Sequence, residues 1–142
     1  MKQLLLAASV MGAMLGANAQ KLEADKVPAV VKTAFTKQFP GATAVKWEKE
    51  DGQYEAGFKQ GNDKMAAMYK PDGTFTESEV SIPVSALPAS VTEYMNTHYK
   101  GTPVKEGAKI TKADGTVNYE AEINGMDVIF DASGKFLKTE KD

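Results

Sequence analysis

The 142-residue chain contains no cysteine and no arginine, and it has one histidine and one tryptophan. Without cysteine there can be no disulfide, thiolate zinc site or cysteine nucleophile. Arginine is the usual bidentate reader of phosphate and guanine, and the lysines are scattered, so nucleic acid is not an expected partner. A Ser-His-Asp set needs a nucleophile, a base and an orienting group held together. The lone His98 sits instead near the end of a helical pattern, where a polar residue beside free carbonyls is ordinary. Soft metal sites lack ligands, Asn62-Asp63 and Asp72-Gly73 lack the acidic spacing of a calcium loop, and no glycine-rich phosphate loop is present. No catalytic residue, metal or cofactor is expected, and the chain reads as a non-enzyme.

Long apolar runs are equally scarce. The one example, Leu4 to Leu15, is interrupted by Ser9 and Gly12 and is too short to span a bilayer. It follows Lys2 and precedes Ala17-Asn18-Ala19, the three-part pattern of a cleaved signal peptide over residues 1–19. The expected mature chain begins at Gln20 and is periplasmic or secreted, with no lipid-bearing cysteine and no stable membrane insertion. Losing Lys2 leaves 16 lysines against 19 acidic residues, a formal charge of −3. A body of that length can bury a core by packing alone.

What is present is repetition. Val27-Pro28-Ala29 recurs sixty residues later as Leu87-Pro88-Ala89, and Val31, Phe35, Phe39 and Gly41 meet Val91, Met95, Tyr99 and Gly101. Apolar residues four apart make the stripe of an amphipathic helix. Pro28 and Pro88 suit its first turn, Asp25 and Ser85 are candidate N-caps, and the glycines end it. The period then drops to two. Val45 and Trp47 alternate with charged residues, as do Tyr54, Ala56 and Phe58; Ala108 and Ile110, then Val117, Tyr119, Ala121 and Ile123, follow suit. Asp51-Gly52, Gly61-Asn62 and Asp72-Gly73 divide the first copy, and Asp114-Gly115, Asn124-Gly125 and Ser133-Gly134 the second, each pair suited to a tight hairpin. The expected fold is α+β: a tandem duplication of a helix plus a four-stranded antiparallel meander, with the helices packed on one face of the sheet. The first repeat spans 20–80, a joint 81–86, and the second repeat 87–142, in one continuous body.

The second copy, with Tyr119 to Ile123, Gly125, the apolar run from Val128 and the turn Asp131 to Gly134, resembles the PepSY pattern. The tandem arrangement is similar to the PepSY-like family whose fold is that of the β-lactamase-inhibitor protein. The resemblance covers about Val27 to Lys138, and it implies an exported module rather than a particular activity. The first copy departs from it where Lys70 to Gly73 replaces the Asp131 turn.

Alternation assigns Val45, Trp47, Tyr54, Phe58, Tyr119, Ile123, Val128 and Phe130 to the helix-covered face, with Trp47 and Tyr54 in the core. The opposite, open face receives Lys46, Glu48, Glu55, Gly57, Lys59, Ala66 and Met68, then Lys109, Asn118, Glu120, Glu122, Asp127, Ile129 and Leu137. Glu48 and Glu55 could meet across neighbouring strands, as solvated surface groups. Met68, Ile129 and Leu137, with Glu48, Glu55 and Glu120, are the candidate binding residues for an exported or periplasmic protein partner, an inhibitor-like role being one form of this. The alternative is a small-ligand or ion-binding protein with a pocket between helix and sheet or between repeats, lined by Trp47, Tyr69 or Met65.

Overall fold

The computed structural model describes residues 20–141; the expected signal peptide lies outside the described residues. These residues form two α-helices and nine antiparallel strands, an α+β fold, divided into one compact unit up to Glu79 and another from Val80.

In the first unit, strand β1 (Gln20–Leu22) and a 3-10 turn (Ala24–Lys26) lead into helix α1 (Ala29–Gln38). Strands β2 (Thr43–Glu50), β3 (Gln53–Gln60), β4 (Asp63–Tyr69) and β5 (Phe75–Ile82) follow, each beside the one before, with β1 on the free side of β2 and the unit boundary falling within β5. In the second, a 3-10 turn (Val84–Ala86) precedes helix α2 (Ala89–His98), and strands β6 (Glu106–Lys112), β7 (Val117–Ile123), β8 (Met126–Asp131) and β9 (Phe136–Lys141) lie in that order. The expected joint is thus regular structure: Ser81 and Ile82 finish β5, and the next residues wind into the 3-10 turn.

Both 3-10 turns and both helices recur at the offset of sixty residues read from the sequence. Asp25 and Ser85 lie inside the 3-10 turns rather than capping helices; Pro28 and Pro88 take the N-cap positions, extended at φ −53°. The reason is local. A proline bars its predecessor from helical geometry, so Val27 and Leu87 stay extended and the helix starts after the ring. Each proline carbonyl then accepts the first helical hydrogen bonds, from Val31 and Lys32 or from Val91 and Thr92.

The apolar stripe of each helix covers one sheet face. In the first unit Val27, Val31 and Phe35 pack with Trp47, Tyr54, Ala56, Phe58, Ala67 and Tyr69. Phe35 is the hub, with the rings of Trp47 and Phe58 edge-on at 5.3 Å and 5.0 Å, a geometry the ring quadrupole favours. In the second unit Leu87, Val91 and Met95 pack with Ala121, Ile123, Val128 and Phe130. The third hairpin turn of each unit seats on its helix: a Cβ on Gly73 would lie 3.0 Å from a Val30 methyl, and one on Gly134 would fall on Ser90 Oγ. Ser90 meanwhile donates to the Ser133 carbonyl at 3.0 Å.

Two interruptions shift the expected alternation. Thr43 pairs with Lys59 but Lys46 with Gly57, so β2 holds one extra residue; Ala44 takes φ +52° there, and Val45 turns outward to 38 % exposure instead of joining the core. On β9, Ile129 pairs with Lys138 and Phe130 with Phe136, which leaves Leu137 as the bulged residue.

Candidate functional site

The face opposite the helices is built by strand register. In the first unit Glu48, Glu55 and Met68 stand in one row across β2, β3 and β4, and Lys46, Gly57 and Ala66 in the next. In the second, Ala108, Glu120, Ile129 and Lys138 form the row across β6 to β9. Glu55 beside Met68 and Glu120 beside Ile129 are therefore the same acid-beside-apolar pair in the two units.

Register also corrects part of the expected face. Lys109 pairs with Tyr119, on the helix side, whereas Ala108 and Ile110 share the opposite face with Glu120 and Asn118. The cause is phase, since the pairing Glu106 to Glu122 sets the parity of β6. Leu137, in its bulge, stands outside the row and yields its place to Lys138. It is 48 % exposed.

The face is drier than expected. Met68 and Ile129 are buried rather than exposed, and so are Ala66, Ala108 and Ile110. Glu55 is only 3 % exposed, Glu120 and Asp127 are buried, and Glu48 and Glu122 are half-buried. Glu55 is thus no solvated surface carboxylate. Its Oε2 accepts no hydrogen bond among the described residues. Burial first, then the charges of Glu50, Glu48 and Glu77, push its carboxyl up to about 8. Burial thus favours the protonated form of this acid over the charged one.

The other carboxylates with displaced acidity lie in turns. Asp72, Asp114 and Asp131 accept backbone hydrogens two residues on, from Thr74, Thr116 and Ser133. Asp131 also takes the Ser133 hydroxyl at 2.6 Å and the Lys135 amide at 3.0 Å. These hydrogen bonds favour the ionised form and lower all three. The departure of the first copy at Lys70 to Gly73 is therefore a shift of the acid by two places within a turn of the same hydrogen-bonding pattern: Lys70 and Asp131 each exchange backbone bonds with the far side.

The aromatic residues proposed for a ligand pocket are packed instead. Trp47 is buried against Phe35, and Tyr69, fully buried, donates its hydroxyl to Gln38 Oε1 at 2.8 Å, its acidity suppressed by burial. A shallow depression lies elsewhere, on the outer face of α2 among Thr92, Glu93, Asn96, Thr97 and Lys100. Among the described residues no group of three or more His, Asp or Glu is placed to hold a metal ion, and no helix is long and apolar enough to cross a membrane. His98, exposed, stacks on Tyr94 with ring centroids 3.9 Å apart and bonds through Nδ1 to the Tyr94 carbonyl.

The profile of the family described as "Putative beta-lactamase-inhibitor-like, PepSY-like" matches residues 13–77 and 53–138. Solved structures share the fold at low identity. A protein of Bacteroides eggerthii described as "putative periplasmic" superposes with TM-score 0.71 at 16% identity, over 81% of this chain and 88% of its own. A DUF2874 family protein of Bacteroides ovatus gives 0.70 at 18%, over 82% and 89%. A BLIP-like protein of Bacteroides fragilis gives 0.64 at 21%, over 80% and 86%. Among curated proteins none matches the chain.

Proposed function

We propose that this chain, which belongs to the β-lactamase-inhibitor-like, PepSY-like family, is an exported, non-catalytic module built of two repeats. It binds a protein partner through the sheet face opposite its helices. The observation that carries this reading is the recurrence on that face of one arrangement, Glu55 beside Met68 and Glu120 beside Ile129. The helix-side cores hold the aromatic residues Phe35, Trp47, Phe58 and Tyr69 in the first unit and Phe130 in the second, whereas Met68, Ile110 and Ile129 are buried on the opposite face. Carboxylic acids on the second face cost desolvation that a purely structural sheet would avoid by placing apolar residues there. Leu137, exposed at the margin of that face, offers an accessible apolar contact. An inhibitor-like role is one form of such binding, consistent with the family description. The ligand-pocket alternative has less support, because Trp47 and Tyr69 fill the space between helix and sheet.

The test is affinity capture of exported proteins with wild type, Leu137→Lys and Glu120→Gln, each checked for native circular dichroism. A partner held by wild type and weakened at least tenfold by both folded variants supports the reading. A partner indifferent to both, or none at all, removes it.

A further inference from the structure

Strand β1 is the segment of the first unit with least to hold it. It is three residues long and lies on the free side of β2, pairing Gln20 with Lys49, Lys21 with Glu48 and Leu22 with Trp47. Gln20 and Lys21 are exposed, while Leu22 is half-buried and packs against the core that holds Phe35 and Trp47. Terminal segments are where trimming begins, unless pairing in a sheet ties them down. Losing residues 20–22 would uncover Trp47 and bare the edge of β2. Export puts a particular residue at this end. Cleavage after Ala17-Asn18-Ala19 leaves Gln20 first, with its α-amine at the exposed start of β1. The side-chain amide carbon of a glutamine lies where attack by its own α-amine closes a five-membered lactam, an intramolecular reaction that needs no second reactant. An α-amine is a weaker base than a lysine amine, so a share of it is neutral and nucleophilic at neutral pH.

We infer that Gln20 is a modification site, converted after export into an N-terminal pyroglutamate, and that the ring guards β1 against stepwise trimming. The α-amine nitrogen bonds to Cδ, the Cδ–Nε2 bond breaks, and Nε2 leaves as ammonia with one proton from the amine. The lactam carries no charge, yet its ring N–H and the Gln20 carbonyl remain, so the strand keeps a donor and an acceptor opposite Lys49. The terminal cation is lost from a corner already rich in positive charge. Lys21 follows Gln20, and Lys49, its partner across the strands, holds its ammonium over the Tyr54 ring at 5.4 Å. Like charges set opposite each other on neighbouring strands destabilise the pair, so cyclisation favours the docked strand. Aminopeptidases grip a free α-amine, and the lactam offers none. The inference rests on the export reading above and on no partner's identity.

The test starts from the full chain, expressed with residues 1–19 in place. The exported protein is purified, held at neutral pH until its mass is constant, and read by mass spectrometry, intact and as its N-terminal peptide. The expected result is a chain beginning at position 20, lighter by one ammonia than the unmodified sequence and without a reactive α-amine. Gln20→Asn, whose shorter side chain cannot close that ring, should begin at the same position with its α-amine free. Incubated with an aminopeptidase, the wild type should keep residues 20–22 and Gln20→Asn should lose them. A wild-type chain that begins at Gln20 with its full mass overturns the inference and leaves export standing. A chain that retains residues 1–19, or begins elsewhere, overturns both the inference and the cleavage it rests on. If the lactam forms but Gln20→Asn resists the aminopeptidase equally, the modification stands and its guarding role falls.

Discussion

Two kinds of carboxylic acid share this chain and pull its pH response in opposite directions. Glu55, raised from 4.5 to about 8 by burial and neighbouring acids, binds a proton more tightly folded than unfolded. Its contribution is therefore complete below the unfolded value near 4.5 and is lost as pH rises through about 8. Asp72, Asp114 and Asp131, lowered by their turn hydrogen bonds, contribute above the unfolded value of 3.8 and lose that contribution as pH falls through their folded values. Chemical denaturation across pH 5 to 9 should accordingly show stability falling toward the alkaline side. In Glu55→Gln that decline should flatten by a few kcal/mol, at ~1.4 kcal/mol per unit of displacement; an unchanged slope would show that Glu55 ionises freely. Alternation in the sequence was enough to put Glu55 on the face away from the helix. It said nothing of depth, because burial depends on segments remote along the chain, and so the acid read as solvated.

Elements were legible where period and punctuation agreed. Val27, Val31 and Phe35, with Leu87, Val91 and Met95, are buried as the four-residue stripe requires, and the strands follow in the order that the glycine-bearing turns mark. Alternation misplaces Val45 and Leu137 where an extra residue enters a strand, and Lys109 by the parity of β6. Ala44 costs about 1–2 kcal/mol of backbone strain for a residue with a Cβ, a conformation that no sequence pattern announces, and it lies in the bulge that leaves Val45 turned outward. Strand β1 also went unread, because three residues are too few to show alternation. The seating of the third turn on α2 makes the sharpest test at this scale. Gly134 combines φ +84° with direct opposition to Ser90. Gly134→Ala should cost about 1–3 kcal/mol and break the Ser90 bond to Ser133, whereas Gly115→Ala, with φ +87° but open space around it, should cost only the backbone share. Equal losses in thermal unfolding would show that the contact with α2 carries no weight.

For the molecule as a whole, stability rests on two separate helix-on-sheet cores and on no covalent staple. That much followed from composition and repeat alone, since a cysteine-free chain with two matching apolar stripes has to bury each against its own strands. Which side chains meet on the second face did not, because a shift of one residue in register exchanges the faces. The bulge at Leu137 has a consequence for the protein's life in a crowded compartment. Strand β9 closes the strand order of its unit, and an unpaired strand edge can template the same edge of another molecule. The extra residue breaks the flat ladder there, and Lys135, Lys138 and Lys141, with Glu140 paired to Lys138, surround it with charge. Deleting Leu137 should restore a regular edge and make the protein associate more with rising concentration than wild type does, visible as growing light scattering. If scattering stayed flat, the lysines alone would be guarding the edge.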